Sequence, residues 1–159
     1  IGMIMGPYST VKRVQQRCAG YKAALKSAGI EVDESLIIEK QPTLADGSQA
    51  MSRLLSHTER PTAVFAASDL LALGAMKAAA DAGLRIPQDL SIVGFDDLDM
   101  AAYSVPALTT IRVPALEMGQ LAIESLLEMI NDSNSGAHQY CLETELVVRR
   151  SCGPPPARR

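Results

Sequence analysis

With 159 residues, 47% of them hydrophobic and 21% charged, the chain has the composition of an ordinary globular protein and can bury one sizeable core. A formal net charge of -3, with the basic residues scattered, argues against this piece holding nucleic-acid phosphates by itself. Cys18, Cys141 and Cys152 lack CxxC spacing and His57 and His138 lack ligand companions, so no metal or cofactor is expected and a reducing cytoplasm fits best.

In chain order, Ile1–Met5 is a short apolar strand closed by Gly6-Pro7. Ser9 or Thr10 is placed to cap a helix whose apolar positions recur at Val11, Val14, Cys18, Tyr21 and Leu25, with Gly29 as its stop. Ser35–Glu39 reads as a second strand, and Thr43-Leu44-Ala45-Asp46 resembles a capping box opening a helix that turns Ala50, Met51, Leu54 and Leu55 inward. Thr62–Ala67 is a continuous apolar strand, followed by an alanine- and leucine-rich helix over Leu70–Ala82 and a return loop through Pro87. Leu90–Phe95 is again strand-like without alternation, as burial on both faces of a parallel sheet produces. Asp96–Pro106 reads as a loop and Leu108–Val113 as extended chain. Pro114 then starts a helix to about Ile130, with Leu116, Ile123, Leu127 and Ile130 facing inward. Asn131–Gly136 is a polar turn, Tyr140–Arg149 a last strand, and residues 153–159 a disordered tail. No apolar run is long enough to cross a bilayer and no basic-then-apolar leader opens the chain, so no membrane partner is expected. The alternation of strand and helix predicts an α/β fold, a parallel sheet flanked by helices on both faces.

Ligands of such sheets bind outside the carboxyl ends of the strands. Tyr8–Arg17, Gln41–Thr43, Ser68-Asp69 and Asp96-Asp97 each follow a strand, so all four groups are expected at one cleft. Arg17 offers a planar fork of donors, and Asp96 two acceptor oxygens for vicinal hydroxyls or an amine. Solvated helix residue and turn-former, respectively, remain the plain alternatives. Asp69, at a helix entrance, reads as the cap, and Asp97 and Asp99 as loop residues. There is no GxSxG elbow, no phosphate loop, no HExxH and no histidine after a strand, so catalytic residues are not expected and an enzyme is disfavoured.

From Arg60 to Leu127, the run RPTAVFAASDLLALGAMKAAADAGLRIPQDLSIVGFDDLDMAAYSVPALTTIRVPALEMGQLAIESLL resembles the later half of the sensor domain of the lactose/galactose-repressor (LacI/GalR) family. The match continues through Thr144–Ser151, and Gly6-Pro7, Arg17–Tyr21 and Gly47 fall in the same register. The resemblance implies a periplasmic-binding-protein-like fold of type I, present as a fragment without the DNA-binding headpiece and most of the first subdomain. Residues 1–112 would form most of the second subdomain, 113–146 would belong to the first, and 147–152 would return.

The same resemblance makes Arg17, Ser68, Asp96 and Pro42 the effector-binding residues. Ser68 stands where the family usually has an asparagine, Pro42 near a stacking aromatic, and Ala115 for a bulkier pocket residue, which implies a roomier, less aromatic pocket. The expected partners are a small-molecule effector such as a sugar, operator DNA through the absent headpiece, and a second copy of the chain. Leu70–Ala82 and Met100–Leu108 lie near the family's dimer surface. A secreted sugar-binding protein of a transporter is the alternative that shares the fold.

Overall fold

The computed structural model describes residues 1–8, 11–131 and 138–155. One six-stranded sheet runs in the order β2-β1-β3-β4-β5-β6. Its strands are β1 (Gly2–Met5), β2 (Ile37–Glu39), β3 (Ala63–Ala66), β4 (Ser91–Asp96), β5 (Thr109–Arg112) and β6 (Glu145–Val147). The first five are parallel and β6 pairs antiparallel with β5, Arg112 lying opposite Glu145. The expected α/β architecture is therefore present, with one antiparallel edge strand.

Helices α1 (Lys12–Ser27), α2 (Leu44–Leu55) and α3 (Asp69–Asp81) cover the sheet. Alternation along β1 sorts the core into two layers: Ile4 packs with Met51, Leu54 and Leu71 of α2 and α3, whereas Met3 and Met5 pack with Val14, Cys18, Tyr21 and Leu25 of α1. Glycine lets α2 and α3 touch backbone to backbone. A Cβ on Gly47 would collide with the Leu71 carbonyl, and one on Gly74 with the Leu44 carbonyl.

Several local readings shift. The cap position of α1 is Val11, with no side-chain cap, while Ser9 and Thr10 lie outside the described residues. The second strand starts later than expected because Asp33 accepts from the Ser35 amide and hydroxyl, winding Glu34–Leu36 into a 3-10 turn. Thr43 caps α2 as expected, its hydroxyl accepting from the Asp46 amide and donating to the Asp46 carboxylate. Within the expected loop after β4, Asp99–Tyr103 forms a short helix, α4.

Helix α5 (Ala115–Asn131) has no buried residue. Leu116, Ile123, Leu127 and Ile130, expected to face a core, are 79%, 57%, 52% and 66% exposed. The amphipathic pattern is real, but the described residues give that stripe nothing to pack against. Tyr140–Thr144, expected as strand, has no strand partner, and only Glu145–Val147 pairs. Of the expected turn Asn131–Gly136, Asn131 is the last residue of α5 and residues 132–136 lie outside the described residues, as do tail residues 156–159. Gly153, placed in the tail, exchanges hydrogen bonds with the Ser91 hydroxyl. Among the described residues no helix is long and apolar enough to cross a membrane.

Candidate functional site

The parallel strands end together, and their following segments enclose a cleft of about 700 Å³ lined by Arg13, Arg17, Gln41, Pro42, Ser68 and Asp96 among others. All four residues singled out from the sequence, Arg17, Pro42, Ser68 and Asp96, are thus at one cleft, and each of the four strand-end groups contributes. Tyr8, Thr43 and Asp97, which belong to the same groups, do not line it.

Arg17 enters from the second turn of α1. Its guanidinium donates to the Ala67 carbonyl at 2.7 Å and lies 3.6 Å above the centre of the Phe95 ring. A third contact reaches Asp96 at 3.7 Å, too long for a hydrogen bond, so both groups keep hydrogen-bonding capacity for the cleft. Burial pushes the Arg17 guanidinium down from its usual range and the Asp96 carboxyl up, and each charge partly restores the other. Asp96 remains 38% exposed along its side chain, open to a ligand.

Ser68, not Asp69, caps α3, its oxygen accepting from the Leu71 amide at 3.3 Å, and it also lines the cleft. Asp69, read as the cap, is the first helical residue and is fully buried. Its oxygens accept from the Thr110 hydroxyl and, at 2.7 Å, from the Leu98 amide. Pro42 sits at the cleft beside Val11, Leu70 and Leu98, a wall without an aromatic ring. Ala115 does not line this cleft; it belongs to a groove along α5.

A second cavity, about 530 Å³, lies on the other side of Arg13 and Arg17 and reaches Phe95, Pro114, Met118, His138 and Tyr140. The two cavities share the arginines, so Arg17 stands on a divide between the sheet edge and α5.

Sequence reasoning missed the task of Asp97. Its carboxylate accepts from Arg112 Nε and Arg149 Nη2, both at 2.7 Å. An acid just past β4 and an arginine ending the neighbouring β5 were the available signal. A Ser35-His57-Asp33 cluster also gathers on the surface, but it is not arranged for nucleophilic catalysis. The His57 Nδ1 accepts from the Glu59 amide, so Nε2 carries the proton and donates to Ser35, which donates to Asp33.

Residues 1–152 match the family described as periplasmic binding protein-like domain. The ribose operon repressor of Haemophilus influenzae is 43% identical over 152 residues, 95% of this chain and 45% of that protein. The transcriptional repressor CytR of Escherichia coli K12 is 40% identical over 151 residues, 95% of this chain and 44% of CytR. Among solved structures, the transcriptional regulator CelR in complex with cellobiose superposes with a TM-score of 0.90 at 35% identity, covering 94% of this chain and 46% of CelR. The chain spans less than half the length of these relatives.

Proposed function

The chain belongs to the periplasmic binding protein-like domain family, in its LacI/GalR repressor branch, and from that premise we propose that it is the effector-sensing part of a bacterial transcriptional repressor. The observation that carries the reading is the half-buried Arg17–Asp96 pair at the cleft, a fork of donors beside an open carboxylate. Such a pair suits a small polar metabolite with vicinal hydroxyls, as in a sugar. Ser68 adds a short hydroxyl donor. The aliphatic wall at Pro42 favours a ligand held by hydrogen bonds over one stacked on a ring, and a sugar packed face-on against Pro42 in a crystal structure would contradict this.

In this reading residues 1–112 form most of one subdomain, 113–146 contribute to a second, and 147–152 return. The exposed stripe of α5 and the span of less than half of each relative support that division. The ligand closes the two subdomains, and closure alters operator binding by a headpiece outside this chain. The protein acts in the cytoplasm as a sensor, not an enzyme. It pairs with a second copy through the exposed Met100, Tyr103 and Val105, which are 51%, 85% and 95% exposed.

A thermal-shift panel of pentoses, hexoses, disaccharides and nucleosides on the intact protein tests the reading, since a ligand of the folded state raises the midpoint by mass action. In the intact protein, Arg17→Ala and Asp96→Ala are each expected to weaken the active compound by about 10- to 100-fold, the loss of a charge-assisted hydrogen bond, with operator binding intact. Unchanged titrations in both variants would remove these residues from the site.

A further inference from the structure

Asp96 and Asp97 are consecutive non-glycine residues with φ of 114° and 56°, a backbone region L-residues disfavour. Two such residues in succession persist only when their surroundings hold them. One anchor is buried: the Leu98 amide donates to Asp69, which also accepts from Thr110 on β5. The other is the Asp97 side chain, only 9% exposed and pointing away from the cleft between two guanidinium groups.

Those guanidiniums sit on strategic segments. Arg112 is the last residue of β5, where the chain leaves the sheet toward α5, and Arg149 lies just past β6, by which it returns. Arg112 also donates to Glu145 at 2.9 Å, its partner across the strands, and Arg149 donates to the Leu108 carbonyl at 2.9 Å. Burial pushes the Asp97 carboxyl up, but the two guanidiniums outweigh it and hold the group below the usual carboxylate range. Asp96 meanwhile faces Arg17 in the cleft. Because the two aspartates are adjacent in the chain, the backbone between them cannot shift without moving both carboxylates.

We infer that Asp97 is a positioning residue: clamped by Arg112 and Arg149, it fixes the left-handed turn that presents Asp96 to the cleft and ties that turn to both strands crossing toward α5. Its meaning for ligand sensing rests on the effector-site reading above, whereas the mechanical coupling does not. A load placed on Asp96 reaches the crossing strands through a single rigid turn, and loss of the Asp97 charge disconnects the two.

The test is a double-mutant cycle without ligand, read by amide hydrogen exchange in the intact protein: wild type, Asp96→Asn, Asp97→Asn and the double variant. Asp96→Asn serves as the perturbation in the cleft. It is expected to change exchange in the peptides covering Arg112 and Glu145–Val147 by about threefold or more in the wild-type background and to leave them unchanged once Asp97 is asparagine. A merely structural Asp97 would give equal, additive effects in both backgrounds. Additivity, or no effect of Asp96→Asn on those peptides, overturns the inference. If Asp97→Asn fails to fold, Arg149→Gln takes its place in the cycle with the same expectation. Because no ligand enters, coupling can fail while the compound panel still finds an effector, and can hold while the panel finds none.

Discussion

Asp69 and Asp97 are two acids held in opposite ways a few residues from the cleft, and the contrast sets how stability responds to pH. Burial pushes the Asp69 carboxyl up, offset by the Thr110 hydroxyl and the Leu98 amide, and burial likewise raises Asp96. A raised acid penalises the folded state once ionised, so its penalty lifts as pH falls from neutral toward the ordinary carboxylate value of about 4. Asp97 is depressed, so its contribution is present above that value and is lost as pH falls through its lower folded one. The urea midpoint is therefore expected to rise slightly as pH falls from neutral toward about 4 and to fall below that pH, with a shallower fall in Asp97→Asn. A midpoint that declines steadily from neutrality downward would refute the assignment. Arg17 and Asp96 were legible from the sequence because topology alone puts strand ends at one edge. The capping of α3 by Ser68 rather than Asp69 was not, since nothing local marks which of two adjacent cap-formers will be covered by β5 and the turn after β4. Gly94 belongs to the same knot: a Cβ there would strike the Asp69 carboxylate.

At the scale of elements, the close crossing of α2 and α3 is the feature most exposed to single substitutions. Neither Gly47 nor Gly74 can take a methyl group without pushing two backbones apart. Gly74→Ala is expected to cost about 2–4 kcal/mol despite the better helix propensity of alanine, because overpacking against rigid backbone outweighs it. Urea unfolding of the variant checks this, and an unchanged or raised midpoint would mean the helices separate freely. The apolar runs behind β1, β3 and β4 were readable because strands buried on both faces need no alternation. The start of the second strand was placed two residues early because Asp33 diverts the backbone of Ser35 into a turn, a local competition that hydrophobic patterning does not register. For α5 the pattern was correct and the burial was not: periodicity reports that a stripe wants cover, not that this chain supplies it.

For the whole molecule, that uncovered stripe has a direct consequence in solution. Leu116, Ile123, Leu127 and Ile130, with Leu126 at 51% and Met129 at 46% exposure, are left on one helix. Such a surface is normally an interface. The chain alone is expected to self-associate, and Leu127→Glu with Ile130→Glu to shift it toward monomer; sedimentation velocity distinguishes the two, and a strictly monomeric wild-type chain would count against the idea. The site was legible in outline at this scale, because four segments far apart in sequence were assigned to one cleft. The Asp97 clamp was not, because it joins positions 112 and 149 to a turn at 97, and no short-range motif encodes that meeting.

Ser151 closes the sheet from far along the chain. Its buried hydroxyl donates to the Ile92 carbonyl at 2.6 Å and accepts from the Thr109 amide at 2.8 Å, while the Ile92 amide donates to its carbonyl at 2.9 Å. Chains emerge from the ribosome amino end first. For the whole time that α5 and the residues after it are being made, β4 and β5 must therefore wait with these polar groups unpaired. The sheet is thus completed only by a residue made about forty positions after its fifth strand.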